Sequence, residues 1–222
     1  MKKTLVEKHF DKVAEDYDFY KANNKYYYDE LKQLLQRQIP KDCKVFEIGC
    51  GTGDLLVSLK PNIGYGVDLS REMIKIANNK YEDYKNITFS TVWPNDNYDY
   101  IFMSDVTEHL ANSKATFRKI SKMMNRNTVF INTMANPVWE PVLLIAEKLG
   151  LKMPEGSHKR IDYEEIRIMM KKAGLKITKH DYKLLIPVKI PFLTNFANKY
   201  LEKYLKKYAF IEYLTAKLYG PY

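Results

Sequence analysis

A glycine-rich turn between a buried strand and a helix is the feature that most constrains the fold of this sequence. The segment 44–48 (KVFEI) is typical of a buried strand, and the glycines of the pattern Glu47-x-Gly49-x-Gly51-x-Gly53 follow it. Leucines at helical spacing come next. Glycines let the backbone turn tightly and approach a ligand closely. The strand–turn–helix unit therefore predicts a nucleotide-type ligand at the turn.

Strands and helices alternate along the rest of the chain. The predicted strands after the first are 64–68, 86–91, 99–103, 128–132, 176–186 and 209–218. The predicted helices include the N-terminal region 5–35 and the segments 70–79, 107–124 and 162–173. Alternation of this kind is typical of a doubly wound α/β fold with right-handed crossovers. We therefore expect a seven-stranded, mostly parallel sheet.

The 222 residues fall in the size range of a single α/β domain. We expect a helical N-terminal cap over 1–40, a ligand-binding core over 43–135 and a C-terminal part over 136–222, with an insertion at 187–208. No apolar stretch reaches the roughly 18 residues of a membrane-spanning helix, and the start lacks the apolar region of a secretory signal. We therefore expect a cytoplasmic protein. Two cysteines and four scattered histidines have no metal-ligand spacing, so no metal is expected.

The acidic residues near the turn favour one class of ligand. The dinucleotide fingerprint has a glycine where this chain has Asp54. Asp54 and Glu47 would repel a pyrophosphate at the helix N-terminus, whereas Glu47 suits a ligand with positive charge. Asp68 ends the second strand, where a carboxylate either accepts both ribose hydroxyls or caps the next helix. The ammonium and sulfonium of S-adenosyl-L-methionine meet these requirements.

Four segments carry a resemblance to a known family: 9–18 (HFDKVAEDYD), 45–53 (VFEIGCGTG), 66–70 (GVDLS) and 98–110 (YDYIFMSDVTEHL). They resemble the class I S-adenosylmethionine-dependent methyltransferases of type 11/12, notably the quinone-biosynthesis and small-molecule O-methyltransferases. The resemblance implies a Rossmann-like methyltransferase fold with S-adenosyl-L-methionine as cofactor. It also implies that Glu47 and the glycines hold the methionine end, that Asp68 holds the ribose, and that Tyr17 closes over the cofactor.

The predicted cofactor-binding residues are Tyr17, Glu47, Gly49, Cys50, Gly51, Gly53, Asp68, Leu69, Thr91, Val92, Ser104 and Asp105. By the resemblance, Ser104 and Asp105 line the methyl-donor side. The family usually has an acidic residue after the third strand to meet the adenine amine, whereas this chain has Thr91-Val-Trp-Pro94. Backbone groups near Thr91 and Val92 are expected to serve there, while Trp93 either stacks on adenine or packs in the core.

The candidate catalytic residues are two histidines. Methyl transfer from a sulfonium is an in-line displacement, so the protein mainly aligns the acceptor, and a hydroxyl acceptor also needs a base. His109 follows the fourth strand at the ligand-binding edge, and His158 lies in a glycine-containing loop. Their alternatives are a packing role at a helix N-terminus and a solvated loop position. His9 is expected in the N-terminal lid, and His180 is expected to face solvent.

The identity of the acceptor depends on weaker signals. The net charge of +9 favours an anionic partner, but only six of the 36 basic residues are Arg, which disfavours nucleic acid. Methylation of a base amino group usually goes with an Asn/Asp-Pro-Pro-aromatic motif, which 136–139 matches only in part and after the fifth strand instead of the fourth. A non-catalytic S-adenosylmethionine-binding domain is the alternative from another class. The sequence leaves the oligomeric state open.

The insertion 187–208 is expected to cap the acceptor pocket. On a helical projection of 194–208, one half carries the apolar residues Phe196, Tyr200, Leu201, Tyr204, Leu205 and Tyr208, and the other half is rich in lysine. Such a helix either packs its apolar face on its own domain or rests on an anionic membrane. The segment 136–158 resembles a subgroup associated with glycan and lipid-linked pathways. We therefore expect a small-molecule or lipid-linked acceptor, methylated at oxygen.

Overall fold

The computed structural model of the chain describes residues 4–154 and 160–219. These residues form a single seven-stranded sheet in the order β3-β2-β1-β4-β5-β7-β6. The strands are β1 (Lys44–Ile48), β2 (Ile63–Val67), β3 (Ile87–Ser90), β4 (Tyr100–Ser104), β5 (Val129–Ala135), β6 (Leu175–Lys183) and β7 (Ile211–Leu218). Strand β7 runs antiparallel to β5 and β6, and the other neighbours are parallel. The predicted doubly wound, mostly parallel, Rossmann-like fold is confirmed.

Helices cover both faces of this sheet. They are α1 (Leu5–Val13), α2 (Tyr17–Asn23), α3 (Lys25–Gln38), α4 (Asp54–Ser58), α5 (Arg71–Lys80), α6 (Ser113–Met123), α7 (Glu140–Lys148), α8 (Tyr163–Lys172), α9 (Leu193–Phe196) and α10 (Glu202–Leu205). Short turns of 3₁₀ helix lie at Thr107–His109, Pro137–Trp139 and Lys206–Tyr208, and a π-helical turn lies at Ala197–Leu201. The N-terminal region predicted as helical is thus three separate helices.

Two hydrophobic clusters hold the helices to the sheet. Successive side chains of a strand point to opposite faces, so Val45 of β1 joins the cluster under α3, α4 and α5, while Phe46 joins the cluster under α6 and α8. Phe102 and Ile101 of β4 divide between the clusters in the same way. Both faces of the central strands are therefore buried, which explains why the strands read as continuous apolar runs.

The strand order places the ligand site. The order reverses between β1 and β4, and in such sheets ligands bind beyond the carboxyl ends of the strands at the point of reversal. Ile48 at the end of β1 is in register with Met103 of β4 and with Val67 of β2. The glycine turn, Asp68 and Ser104 therefore meet at one edge of the sheet.

The prediction of one helix over 107–124 is wrong in its first part. Thr107–His109 is a single 3₁₀ turn, the chain then leaves the helical conformation, and α6 begins at Ser113. Asn112 caps α6, because its side-chain oxygen accepts a hydrogen bond from the Ala115 N–H at 3.0 Å. An Asn side chain that satisfies a free helical N–H favours a new helix start at this position.

The prediction that His180 faces solvent is wrong. The His180 ring stacks on Tyr163 with 3.8 Å between ring centroids, and its Nε2 lies 2.7 Å from Oε1 of the buried Glu212. The prediction failed because α8 packs on β6 and β7 pairs with it, so the strand has neighbours that the alternating pattern does not reveal.

The insertion turns its apolar half outward. Phe196, Tyr200 and Tyr204 are exposed, whereas Thr194, Ala197 and Glu202 are buried against the domain. The alternative in which the apolar half packs on its own domain is therefore wrong. Among the described residues, no helix combines the length and apolar character needed to cross a bilayer. Residues 4–154 and 160–219 also contain no cluster of His, Cys, Asp and Glu side chains that could hold a metal ion.

Candidate active site

A cavity of about 340 Å³ lies over the carboxyl ends of β1, β2 and β4, and we call it the cofactor cavity. Its volume falls within the roughly 300–1,000 Å³ of small-molecule sites. Of the predicted cofactor-binding residues, those that line it are Tyr17, Gly49, Gly51, Asp68, Leu69, Thr91, Ser104 and Asp105. Trp93 also lines the cavity, and its ring packs edge-on against Phe46 at 5.4 Å. The structure thus brings together eight of the twelve.

The other four predicted residues lie outside the cavity lining. Glu47 is buried behind the glycine turn, where its Oε2 accepts a hydrogen bond from the Leu56 N–H at 3.1 Å. Burial raises the pKa of the Glu47 carboxyl well above its ordinary value. Cys50 is buried as well, and Gly53 caps α4. Val92 is exposed, and its carbonyl accepts a hydrogen bond from the Tyr65 hydroxyl at 2.9 Å.

The glycine turn has a backbone that other residues rarely adopt. The φ angles of Gly49, Gly51 and Gly53 are 73°, 51° and 88°, in the left-handed region where a Cβ is unfavourable. A Cβ built on Gly51 would lie 3.1 Å from Cε1 of Tyr17. The Tyr17 ring therefore lies directly over the turn, in the position expected for a residue that closes over a ligand.

Asp68 is held rigidly at the edge of the cofactor cavity. Its Oδ2 accepts a hydrogen bond from the Gly51 N–H and its Oδ1 one from the Ser70 N–H, both at 2.9 Å. Burial raises the pKa of the Asp68 carboxyl, although these backbone hydrogen bonds act in the opposite direction. The carboxylate thus joins β2 to the glycine turn and still borders the cavity.

A network of charges ties α2 to the glycine turn. Asp54 lies 2.6 Å from Nζ of Lys21 and 2.7 Å from Nζ of Lys80, and Lys80 also lies 2.6 Å from Asp18. Burial alone would raise the pKa of Asp54, but the two lysines and the Tyr81 hydroxyl outweigh it and hold that pKa well below its usual range. The charge of Asp54 is therefore compensated. Its role is to anchor the N-terminal helices, whereas the sequence had suggested repulsion of a pyrophosphate.

A second cavity, of about 540 Å³, opens beside the first, and we call it the acceptor cavity. Most of its lining is aromatic or aliphatic, with Tyr20, Tyr27, Tyr28, Leu143, Trp139 and Phe210 among the contributing residues. Residues that line both cavities are Phe10, Tyr17, Asp105 and His109. The two cavities therefore meet at these four side chains.

Asp105 has the most distinctive geometry at this junction. Its φ angle is 54°, which is uncommon for a residue with a Cβ and often marks a functional position. The Tyr27 hydroxyl donates a hydrogen bond to Asp105 Oδ2 at 2.5 Å. Burial and the charge of Asp105 raise the pKa of Tyr27 well above its ordinary value. No sequence signal identifies Tyr27, because one tyrosine among several in a helix has no distinguishing spacing.

The candidate histidines occupy different positions. The His109 ring packs edge-on against Phe10, with 5.2 Å between centroids, and faces both cavities. His158 lies outside the described residues. His9 of α1 forms a hydrogen bond of 2.8 Å with the Pro154 carbonyl, so the N-terminal helices contact the acceptor side. Glu108 precedes His109 in the sequence. It is buried and accepts a hydrogen bond from Arg160 Nη1 at 3.0 Å.

Comparison with known proteins agrees with this geometry. The family described as "Methyltransferase domain" matches residues 20–180, and the chain belongs to that family. S-adenosyl-L-methionine is accordingly the cofactor of this domain, as the glycine turn and its acidic residues predict. The matched range includes the glycine turn, Asp68 and Asp105.

Individual relatives cover part of the chain. An uncharacterised protein of Methanocaldococcus jannaschii is 32% identical over 134 residues, which are 59% of this chain and 52% of that protein. A ubiquinone biosynthesis O-methyltransferase of Rhodopseudomonas palustris is 26% identical over 151 residues, which are 61% and 59% of the two chains. The chain thus spans little more than half the length of these curated relatives.

A solved structure matches the fold over nearly the whole chain. The magnesium protoporphyrin IX methyltransferase of Synechocystis, solved with bound S-adenosylhomocysteine, has a TM-score of 0.70 and 18% sequence identity. The match covers 98% of this chain and 100% of that one. The class I methyltransferase fold is therefore present from the N-terminal helices to β7.

Proposed function

We propose that this protein is an S-adenosylmethionine-dependent methyltransferase that acts on an apolar small-molecule or lipid-linked acceptor, with an oxygen of the acceptor as the methylated atom. The observation that carries the proposal is the meeting of two cavities at Phe10, Tyr17, Asp105 and His109. One cavity borders the glycine turn and the other has an aromatic lining. A methyl group leaving the first cavity would enter the second at this junction.

The residues of the cofactor cavity suit the charges of S-adenosyl-L-methionine. Asp68 lies where a ribose would meet the end of β2, and Asp105 places a carboxylate near the donor end. When bound, the cofactor supplies an electrophilic methyl group on a sulfonium. Gly51 leaves space beneath the Tyr17 ring, so Tyr17 would cover the bound ligand and exclude water from it.

Two groups at the junction are placed to receive a proton from an acceptor hydroxyl. The Asp105 carboxylate lines both cavities and accepts a hydrogen bond from Tyr27, which fixes its orientation. The His109 imidazole also faces both cavities and is held edge-on by Phe10. We assign His109 as the base and Asp105 as the group that orients the acceptor, because histidine is the side chain that most often acts as a general base. His158 stays a second candidate from the sequence.

The acceptor cavity favours a ligand with an apolar body. Its walls are Tyr20, Tyr28, Trp139 and Phe210, with aliphatic residues of α7 beside them. Apolar and aromatic walls with a few convergent polar groups are typical of small-molecule sites. The O-methyltransferase of ubiquinone biosynthesis among the relatives supports an acceptor of this chemistry. Few arginines and a mostly apolar cavity lining argue against nucleic acid.

The test is transfer of a labelled methyl group. The protein would be incubated with [methyl-³H]-S-adenosylmethionine and, separately, with hydroxylated quinol-type compounds bearing apolar tails, with simple phenols and with total RNA. We expect label in the organic phase with the apolar hydroxylated compounds. Label found only in RNA, or none with any acceptor, would refute the proposed acceptor class.

A pair of neighbouring leucines provides a matched control for this assay. Leu143 lines the acceptor cavity, whereas Leu144 is exposed and lies outside the lining. Leu143→Trp should fill the cavity and lower turnover at least tenfold while cofactor affinity stays unchanged, and Leu144→Trp should change neither. Equal turnover in the two variants would contradict the assignment of this cavity to the acceptor.

A further inference from the structure

The insertion 187–208 presents an apolar surface to solvent, and we call this surface the apolar rim. It consists of Phe192, Leu193, Phe196, Tyr200, Tyr204 and Tyr208. Phe192 is 92% exposed and Tyr204 is 75% exposed. Soluble proteins rarely leave a contiguous group of large apolar side chains exposed, and such a patch usually marks a binding surface.

The outward orientation of the rim is fixed by polar contacts on the inner side of the segment. Thr194 is 1% exposed, and its hydroxyl donates a hydrogen bond to the Val188 carbonyl at 2.7 Å and accepts one from the Ile190 N–H at 2.8 Å. Glu202 is 8% exposed and accepts hydrogen bonds from Lys183 Nζ at 2.6 Å and from the backbone of Leu184 at 2.7 Å.

A rotation that buried the aromatic rings would break these four hydrogen bonds and expose the apolar inner contacts of Ala197. Buried polar groups left without partners are unfavourable. Along 194–208 the buried side chains are therefore Thr194, Ala197 and Glu202, and the aromatic rings are exposed together with the lysines.

The apolar rim adjoins the mouth of the acceptor cavity. Val188 and Ile190 of the insertion line that cavity and are themselves exposed, as are Val142 and Leu151 of the opposite wall. At the other end of the insertion, Trp139 of the cavity wall donates a hydrogen bond to the Tyr208 carbonyl at 2.8 Å. Both ends of the insertion thus contact the walls of the acceptor cavity, and exposed residues of the insertion line it.

Lysines alternate with the aromatic rings of the rim. Nζ of Lys199 lies 5.1 Å from the centre of the Tyr200 ring, and the corresponding distances are 4.7 Å for Lys203 with Tyr204 and 5.0 Å for Lys207 with Tyr208. Aromatic rings beside cationic side chains are typical of segments that lie in the headgroup layer of a bilayer. The positive charge is complementary to anionic lipid.

We propose that the insertion 187–208 docks on the surface of an anionic lipid bilayer, with the apolar rim in the headgroup layer. The docked orientation brings the mouth of the acceptor cavity to the lipid, so that an acceptor dissolved in the bilayer reaches the site directly. The proposal of docking depends only on the apolar rim and its lysines. The proposal that the bilayer supplies the acceptor also rests on the proposed function.

The test is co-sedimentation of the whole chain with vesicles. One set contains phosphatidylglycerol and phosphatidylcholine in equal parts, and the other contains phosphatidylcholine alone. We expect the wild-type protein to bind the anionic vesicles about tenfold or more tightly than the neutral ones, and we expect salt at about 0.5 M to weaken this preference.

Two double variants distinguish binding through the apolar rim from binding through exposed apolar side chains in general. Phe192→Ser/Tyr204→Ser removes the two most exposed rings of the rim and should lower binding to anionic vesicles at least tenfold. Ile63→Ser/Tyr84→Ser removes two exposed side chains at the start of β2 and before β3, at the opposite edge of the sheet, and should leave binding unchanged. Cofactor affinity and melting temperature report that each variant is folded.

Three outcomes would overturn the proposal. They are absence of vesicle binding by the wild-type protein, equal binding to neutral and anionic vesicles, and equal loss of binding in both double variants. Analytical ultracentrifugation adds a fourth: a wild-type dimer that Phe192→Ser/Tyr204→Ser converts to monomer, together with no vesicle binding, would assign the rim to a second copy of this chain. Loss of methyl transfer with vesicle binding intact would count against the proposed function alone.

Discussion

Asp54 offers a quantitative test of how the N-terminal helices are held over the glycine turn. Its carboxylate contacts Lys21 at 2.6 Å, Lys80 at 2.7 Å and the Tyr81 hydroxyl at 2.5 Å, and its side chain is 15% exposed. Asp54→Asn replaces one carboxylate oxygen, which accepts hydrogen bonds, by an amide NH₂, which is itself a donor and would face the donors of Lys21, Lys80 and Tyr81. Removing one partner of a buried ion pair costs about 3–5 kcal/mol, and partial exposure of Lys80 reduces this to about 3 kcal/mol.

For a domain of this size a loss of about 3 kcal/mol lowers the melting temperature by about 6–12 °C. The matched control is Asp96→Asn, because Asp96 also forms an ion pair, with Lys44, but is exposed. We expect that variant to melt as the wild-type protein does. Differential scanning calorimetry at pH 7 measures both. Equal melting temperatures for Asp54→Asn and Asp96→Asn would refute the anchoring role.

The pH dependence of the same contact has a defined sign. The pKa of Asp54 is lower in the folded state than in the unfolded chain, where it is near 3.9. Above about pH 5 the carboxylate is ionised in both states and its contribution is complete. As the pH falls further, the unfolded chain binds the proton first and the contribution is lost. Acid unfolding of wild type and Asp54→Asn should therefore converge below pH 4, and a constant difference would contradict the shift.

Two further variants test the site itself. Asp68→Ala should weaken S-adenosylmethionine binding about tenfold or more, since hydrogen bonds to charged groups contribute about 1.5–3 kcal/mol; isothermal titration calorimetry measures it, and unchanged affinity would remove Asp68 from the site. His109→Ala should lower turnover by about 10² or more with cofactor affinity nearly unchanged. Wild-type turnover in both His109→Ala and His158→Ala would exclude base catalysis by these residues.

Much of the cofactor side could be predicted because its determinants are local. The turn after β1 requires glycine by backbone geometry, and Gly49 and Gly51 have the left-handed φ angles that the pattern implies. Asp68 follows β2 directly, and parallel strands bring their carboxyl ends to one edge. Ser70 begins the predicted helix 70–79, and in the structure it caps α5 by accepting a hydrogen bond from the Met73 N–H at 3.1 Å.

The acceptor side depends on contacts between distant segments, which no local pattern specifies. Tyr27 and Asp105 are 78 residues apart in the chain and 2.5 Å apart in the structure. The direction of the insertion was equally hidden, because amphipathic spacing indicates two faces and does not say which one packs on the domain. The buried hydrogen bonds of Thr194 and Glu202 determine which face packs on the domain.

The proposed function requires that the cofactor cavity binds S-adenosyl-L-methionine. Isothermal titration calorimetry of the whole chain with S-adenosylmethionine, with S-adenosylhomocysteine and with NAD tests it most directly. We expect low-micromolar or tighter binding of the first two and no binding of NAD, and we expect Gly51→Val to weaken binding, because a side chain there meets the Tyr17 ring. Binding of NAD without binding of S-adenosylmethionine would refute the assignment of the cofactor cavity.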